Sequence, residues 1–246
     1  MFVYQIVIEY DGTNFVGWQI QKNGKSVQEM LQKTLSKALK QKISLFGSGR
    51  TDSGVHALAQ SAHFISKTKI NNKFIFINTV NFFLKKNKIS ILDIDKKSKN
   101  FHARYSAKKR SYMYVIINRI AQLSLDTDRA WHIKSPLNIK SIKKAAELLK
   151  GTKDFSTFRS SSCNAKSPIR TMKSIKIKSV RGRIEIQFKS QSFLQQQVRS
   201  MVGCLKYLAE KKWDLKKFDF ALKSKKRILC APPAPAEGLF LEKVIY

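Results

Sequence analysis

Acidic residues are scarce in this chain: 16 Asp and Glu stand against 48 Lys and Arg, for a formal charge of +32. An imbalance of this size attracts polyanions and raises the rate of encounter with them, so nucleic acid is the expected partner. A drift toward lysine on solvated surface accounts for runs such as Lys85-Lys86 and Lys225-Lys226 but poorly for the total. Cysteine is also rare. Cys163, Cys204 and Cys230 are odd in number and far apart, with no CxxC pair, which argues against a disulfide framework and a zinc knuckle. No apolar run approaches the roughly 18 residues that a bilayer span requires. The N-terminus reaches Asp11 before any signal-like apolar core. The expected setting is a soluble, reducing, cytoplasmic one without a membrane. His56, His63, His102 and His132 are dispersed and lack metal-ligand spacing, so no metal is expected.

Against these absences, 43% of the 246 residues are apolar, enough for a sizeable core. Phe2 to Tyr10 is aromatic and β-branched and ends at Asp11-Gly12, which predicts a strand and a turn. Ser26 followed by Glu29 forms a capping-box pattern, and Val27, Met30, Leu31, Leu35, Ala38 and Leu39 follow at helical spacing. A short apolar piece, Ile43 to Phe46, and a strand-like AQSAHFIS at 59–66 flank a glycine-rich loop. A second unit begins near Lys109 with a strand over Tyr112 to Ile117, and a helix over about Asn138 to Lys150 follows. KSIKIKSVRGRIEIQFKS predicts a hairpin turning at Arg181-Gly182, with one buried and one basic face. Helices are expected over about Phe193–Lys211 and Asp214–Lys226, and a last strand over Leu239–Ile245. Interleaved elements with antiparallel pairing predict an α+β fold. Its two similar halves, 1–104 and 105–246, would share a largely antiparallel mixed sheet flanked by helices, with an active-site cleft between them.

The loop reads GSGRTDSGVHA over 47–57. It lacks the Lys-Ser/Thr pair of a phosphate-binding P-loop and the G-x-S-x-G spacing of a nucleophile elbow. What remains is Asp52 beside Arg50 between glycines. A carboxylate near a guanidinium is held ionised and oriented, which suits a nucleophile or base in a partly dry pocket. A turn Asp capping backbone amides is the plain alternative.

Six blocks then occur in order: IEYDGTNFVGWQIQ with the SVQEML helix, GRTDSGVHALAQSAHF, NFHARYSAKKRSYMY, DFSTFR, SFLQQQVRSMVG and APAEGLFL. Together they resemble the TruA family of tRNA pseudouridine synthases over nearly the whole chain. The resemblance implies isomerisation of uridine to pseudouridine at positions 38, 39 and 40 of the tRNA anticodon stem-loop. It makes Asp52 the nucleophile, with Arg50 pairing with it and filling the space left by the extruded base. Tyr112 would stack on the uracil and later remove the proton from carbon 5. Arg199 would contact the catalytic Asp, Leu241 would wall the base pocket, and Arg110 would bind substrate where Ser111 replaces a frequent basic residue. No cofactor or metal is implied, and a homodimer bridged by one tRNA is. Two departures stand beside these residues: Ser53 where the family more often has Ala, and the Gln195-Gln196-Gln197 run in place of an aromatic or His-containing stretch. A non-catalytic RNA-binding protein of the same fold is the other reading, and it would have no need of Asp52, Arg50 and Tyr112 as a set.

Overall fold

The computed structural model describes residues 1–246. In chain order its elements are β1 (Phe2–Tyr10), α1 (Val27–Ala38), β2 (Leu45–Gly47), β3 (His56–Ser66), α2 (Lys73–Leu84), β4 (Ile89–Lys97), β5 (Lys109–Asn118) and β6 (Trp131–Ile133). They continue with α3 (Ile139–Leu148), β7 (Gly151–Asp154), β8 (Ile169–Val180), β9 (Arg183–Ser190), α4 (Gln197–Ala209), α5 (Leu215–Ser224) and β10 (Leu239–Ile245). The fold is α+β and mostly antiparallel, with parallel pairs at β3–β10 and β5–β6.

Two units divide the chain, Met1–Lys108 with Phe240–Tyr246, and Lys109–Leu239. In the first, β1 lies between β4 and β3, antiparallel to both. Tyr4, Ile6, Ile8 and Tyr10 on one face of β1 are all buried, while on the other face burial runs from Val3 and Gln5 through half-buried Val7 to exposed Glu9. The far side of β3 is shared: β2 pairs with its C-terminal half and β10 runs parallel to its start, Phe240 opposite His56 and Leu241 opposite Ala57. That pairing ties the last strand to the first unit. The Ser26 hydroxyl accepts from the Glu29 amide at 3.3 Å and starts α1, which buries Val27, Leu31 and Leu35.

In the second unit β5, β9, β8 and β7 pair antiparallel in that order. Arg181 and Gly182 both take positive φ, 47° and 79°, as a tight hairpin turn demands. Residues of β9 alternate strictly, with Ile184, Ile186 and Phe188 buried. Asn138 and Asp214 cap α3 and α5 by accepting from the Ser141 and Lys217 amides.

Several elements differ from the sequence reading, among them the short strands β6 and β7, which it did not include. α4 begins at Gln197, four residues later than expected, because Gln196 sits at φ 59° and cannot continue a right-handed helix. α2 and β4 were not anticipated. The Asn72 side chain accepts from the Ile75 amide at 3.0 Å and starts α2. No helix is long and apolar enough to cross a membrane.

Candidate active site

The loop after β2 is gripped from two directions by peptide groups. On one side the β3 residue Gln60, itself buried, accepts from the Ser48 hydroxyl at 2.7 Å and donates to the Gly49 carbonyl at 3.0 Å. On the other, the segment after β1 wraps the loop: the Trp18 amide donates to the Thr51 carbonyl at 3.1 Å, and the Gly54 amide to the Phe15 carbonyl at 3.3 Å. The hydroxyls of Tyr10 and Thr51 share a hydrogen bond of 2.7 Å.

Two glycines make this contact possible. A Cβ on Gly12 would stand 2.1 Å from the Val55 carbonyl oxygen, and one on Gly17 would stand 2.6 Å from that of Thr51. Gly17 also has φ +111°, a region that side chains strain to enter. The first and second sequence blocks are therefore neighbours at main-chain distance, a relation that neither block announces by itself.

Asp52 emerges from this grip half-buried, and its carbonyl accepts from the Val55 amide at 3.2 Å to close the turn. The carboxylate has an interaction partner of its own. Arg50 is exposed. Thr51, between Arg50 and Asp52, is buried and held by Tyr10 and Trp18. The Ser53 hydroxyl donates to the Phe15 carbonyl at 3.1 Å, which gives this departure a bracing role.

His56 is buried and stacks on Phe240 at 4.7 Å. Its Nδ1 accepts from the Gly12 amide at 3.0 Å, so it has no proton there to give the Asp11 carboxylate 3.4 Å away. These contacts give His56 a structural place, and Leu241, beside Phe240 on β10, is buried.

In the second unit Tyr112 is half-buried on β5 opposite Phe188, with the Phe193 ring edge-on at 5.1 Å. Arg110, on the same strand, donates from Nη1 to the Gln191 carbonyl at 2.6 Å. Arg199, in the first turn of α4, donates from Nε to the Ala234 carbonyl at 2.7 Å, and the Ala234 amide returns a bond to the Arg199 carbonyl at 2.9 Å. The adjacent Pro235 carbonyl accepts from Tyr114 at 2.8 Å; burial pushes that phenol well above its ordinary range, so it stays a neutral donor. Burial and then Asp128 raise the Glu237 carboxyl. In the glutamine run, Gln197 is buried and its side-chain oxygen accepts from the Leu194 amide at 2.8 Å. That run builds the entry to α4 and so sets where Arg199 stands.

No group of three or more His, Cys, Asp or Glu is placed to hold a metal ion. Braces such as Gln60, Phe193 and the Ala234 carbonyl escape sequence reasoning because each acts across a long chain separation through ordinary residue types.

The geometry defines a class of protein: an α+β fold that presents one gripped acidic loop in a strongly cationic chain. The family model described as tRNA pseudouridine synthase matches residues 6–106 and 145–246. Arg50, Asp52, Arg199 and Leu241 fall inside the matched segments, and Arg110 and Tyr112 fall between them. The tRNA pseudouridine synthase A of Pelagibacter ubique (strain HTCC1062) is 67% identical over 246 residues, covering 100% of both chains. That of Parvibaculum lavamentivorans (strain DS-1) is 42% identical over 243 residues, 99% of this chain and 98% of its own. That of Ehrlichia chaffeensis (strain Arkansas) is 42% identical over 244 residues, 99% of each. The chain belongs to the tRNA pseudouridine synthase family, a family of isomerases.

Proposed function

We propose that this protein isomerises uridine to pseudouridine at positions 38, 39 and 40 of the tRNA anticodon stem-loop, with Asp52 as the nucleophile. The observation that carries the reading is the Asp52 loop itself. A chain with 48 basic and 16 acidic residues commits main-chain bonds, Gly12 and Gly17 to holding one carboxylate half-buried.

In this reading the target base leaves its stack and Arg50, exposed beside the loop, fills the gap. Tyr112, with its ring braced edge-on by Phe193, stacks on the uracil. The bond from nitrogen 1 to the ribose anomeric carbon breaks and one from carbon 5 forms. Carbon 5 loses its proton to Tyr112 and nitrogen 1 takes one up. Three steps are open to the carboxylate: attack at the anomeric carbon, addition to the base, or removal of a sugar proton. Arg199 and Arg110 bind the substrate, Leu241 backs the base pocket, and the surface lysines hold phosphates and fix register. The chemistry needs no cofactor and takes place in the cytoplasm.

A second copy of the chain completes the reading. α2 presents Phe74, Ile75, Phe82 and Phe83 to solvent, with Phe74 74% and Phe82 77% exposed. A patch of this kind marks an interaction surface. The one charge on α2, Lys73, is paired with Asp93 and Asp95. Two chains of +32 repel least where charge is balanced, as it is at Lys73; Lys37, 5.0 Å from the Phe83 ring centroid, is a further cation at this face.

The test is release of tritium from tRNA carrying it at carbon 5 of uridine. The protein releases it stoichiometrically with pseudouridine, and Asp52→Asn binds tRNA yet loses turnover by at least about 10³-fold. Turnover like that of the parent enzyme in Asp52→Asn removes the nucleophile role, and no release by the folded parent enzyme removes the function. Mapping of pseudouridine in RNA from cells lacking the protein checks the three positions.

A further inference from the structure

A contiguous aromatic ladder crosses the surface of the first unit. Tyr105 stands against His102 with ring centroids 4.4 Å apart and planes 34° from parallel. His102 lies 4.6 Å from His63, and Phe46 stacks on His63 at 5.2 Å and 25°. The outer rings are at solvent, Tyr105 77% and Phe46 47% exposed, while His63 is buried. A ladder that served only packing would bury its ends.

Its rings are fixed in place by the backbone. The Ala103 amide donates to His63 Nδ1 and the Arg104 amide to His102 Nδ1, both at 3.1 Å. Phe46 is set opposite His63 by the β2–β3 register. Burial, and then the neighbouring His102, lower the His63 pKa to about 4, so the ladder's inner ring is uncharged and presents a π surface at neutral pH. Arg104 lies over the Tyr105 ring, its guanidinium carbon 5.7 Å from the centroid. Between 98 and 108 the chain carries Lys99, Arg104 and Lys108 and no acid. Preset rings beside basic residues are what an unpaired nucleobase requires: a face to stack on and positive charge for its phosphates.

We propose that Tyr105, with His102 and Phe46 behind it, is a stacking platform for an unpaired base of the RNA substrate, distinct from the base that reacts at Asp52. The inference rests on the tRNA reading above. It adds a binding site that positions the RNA without touching the reacting nucleotide. Tyr105 supplies the exposed face, the two histidines hold that face rigid, and the neighbouring cations take the flanking phosphates.

The experiment uses the full-length protein and unmodified tRNA. Tyr105→Ala and Tyr105→Leu raise KM for tRNA by about 5- to 100-fold, the range of one lost base stack, and the effect falls on KM rather than kcat. Tyr105→Phe, which keeps the ring, restores binding. Single-stranded oligouridine loses affinity for Tyr105→Ala to the same extent, whereas fully paired duplex RNA does not. tRNA carrying 4-thiouridine crosslinks under ultraviolet light to the peptide containing Tyr105 in the parent protein and not in Tyr105→Ala. Unchanged KM in Tyr105→Ala, an equal defect in Tyr105→Phe, or equal loss for duplex RNA overturns the platform. Crosslinking at Tyr105 without tritium release would overturn the catalytic reading and leave the platform standing.

Discussion

Replacing Gly17 by alanine tests the claim that the Asp52 loop is positioned by main-chain contact. The new Cβ would stand 2.6 Å from the Thr51 carbonyl oxygen and 3.2 Å from the Asp52 carbonyl carbon, where ordinary contact begins at 3.4 Å. Relief requires the Thr51 peptide to move, and that same carbonyl accepts from the Trp18 amide. The left-handed backbone at φ +111° adds about 1–2 kcal/mol of strain, and displacing a packed neighbour adds roughly 1–3 kcal/mol. The internal control is Gly151→Ala. Gly151 also has positive φ, +89°, but nothing lies within 4 Å of the Cβ it would gain, so it bears strain alone. At about 2–4 °C per kcal/mol for a chain of this length, Gly17→Ala lowers the melting temperature by roughly 4–20 °C and Gly151→Ala by roughly 2–8 °C. Calorimetry measures the difference, and tritium release measured well below both transitions measures turnover. Gly17→Ala loses turnover by at least about tenfold because the carboxylate loop shifts, while Gly151→Ala does not. Equal melting losses with equal turnover would refute the grip.

The remaining predictions concern charge and association. Affinity for tRNA falls steeply with salt, by roughly 10³-fold between about 50 and 200 mM, as phosphate contacts release counterions; filter binding at several ionic strengths shows the slope, and a flat response contradicts a lysine-held RNA. Burial raises the Glu210 carboxyl, but hydrogen bonds from Lys206, Ser135 and Lys212 outweigh it and hold the pKa at about 2 against an ordinary 4.5. A depressed carboxyl stabilises the fold fully above its unfolded value, so this contribution is present above pH 4.5 and lost as pH falls toward 2. Chemical denaturation at pH 6 and pH 3 therefore shows a smaller acid loss in Glu210→Gln than in the parent, by up to about 2 kcal/mol. Phe82→Asp, placing charge on the exposed face of α2, shifts the sedimenting species from dimer to monomer without lowering the melting temperature of the folded chain; a dimer that persists moves the interface elsewhere.

Much of this architecture is legible in local chemistry. The Ser26 cap, the Arg181-Gly182 hairpin and the alternation of β9 were all readable because each feature is decided by residues within a few positions of one another. α2 was not. Phe74, Ile75, Phe76 and Ile77 are aromatic or β-branched and run together, so no apolar stripe of helical period stands out, and the outer ones stay at solvent. The start of α4 was misplaced for a different reason. Val198, Met201 and Leu205 carry the helical period, but the left-handed Gln196 is a tertiary choice that polar sequence does not reveal. At the site, glycine punctuation made the Asp52 loop conspicuous, whereas its grip by 12–18 links residues about 40 apart in the chain and shows only in the fold.

The contacts that hold the Asp52 loop are almost all peptide groups and hydroxyls: the Trp18 and Gly54 amides, the Thr51, Phe15 and Gly49 carbonyls, the Tyr10 and Ser53 hydroxyls. None of these groups titrates between pH 5 and 8, and none is screened by salt as separated charges are. Ionic strength therefore acts on the capture of the polyanion and leaves the main-chain grip on the loop alone. The exterior can gain or shed lysines, and the cell's salt can vary, with the backbone of the Asp52 loop gripped in one way throughout.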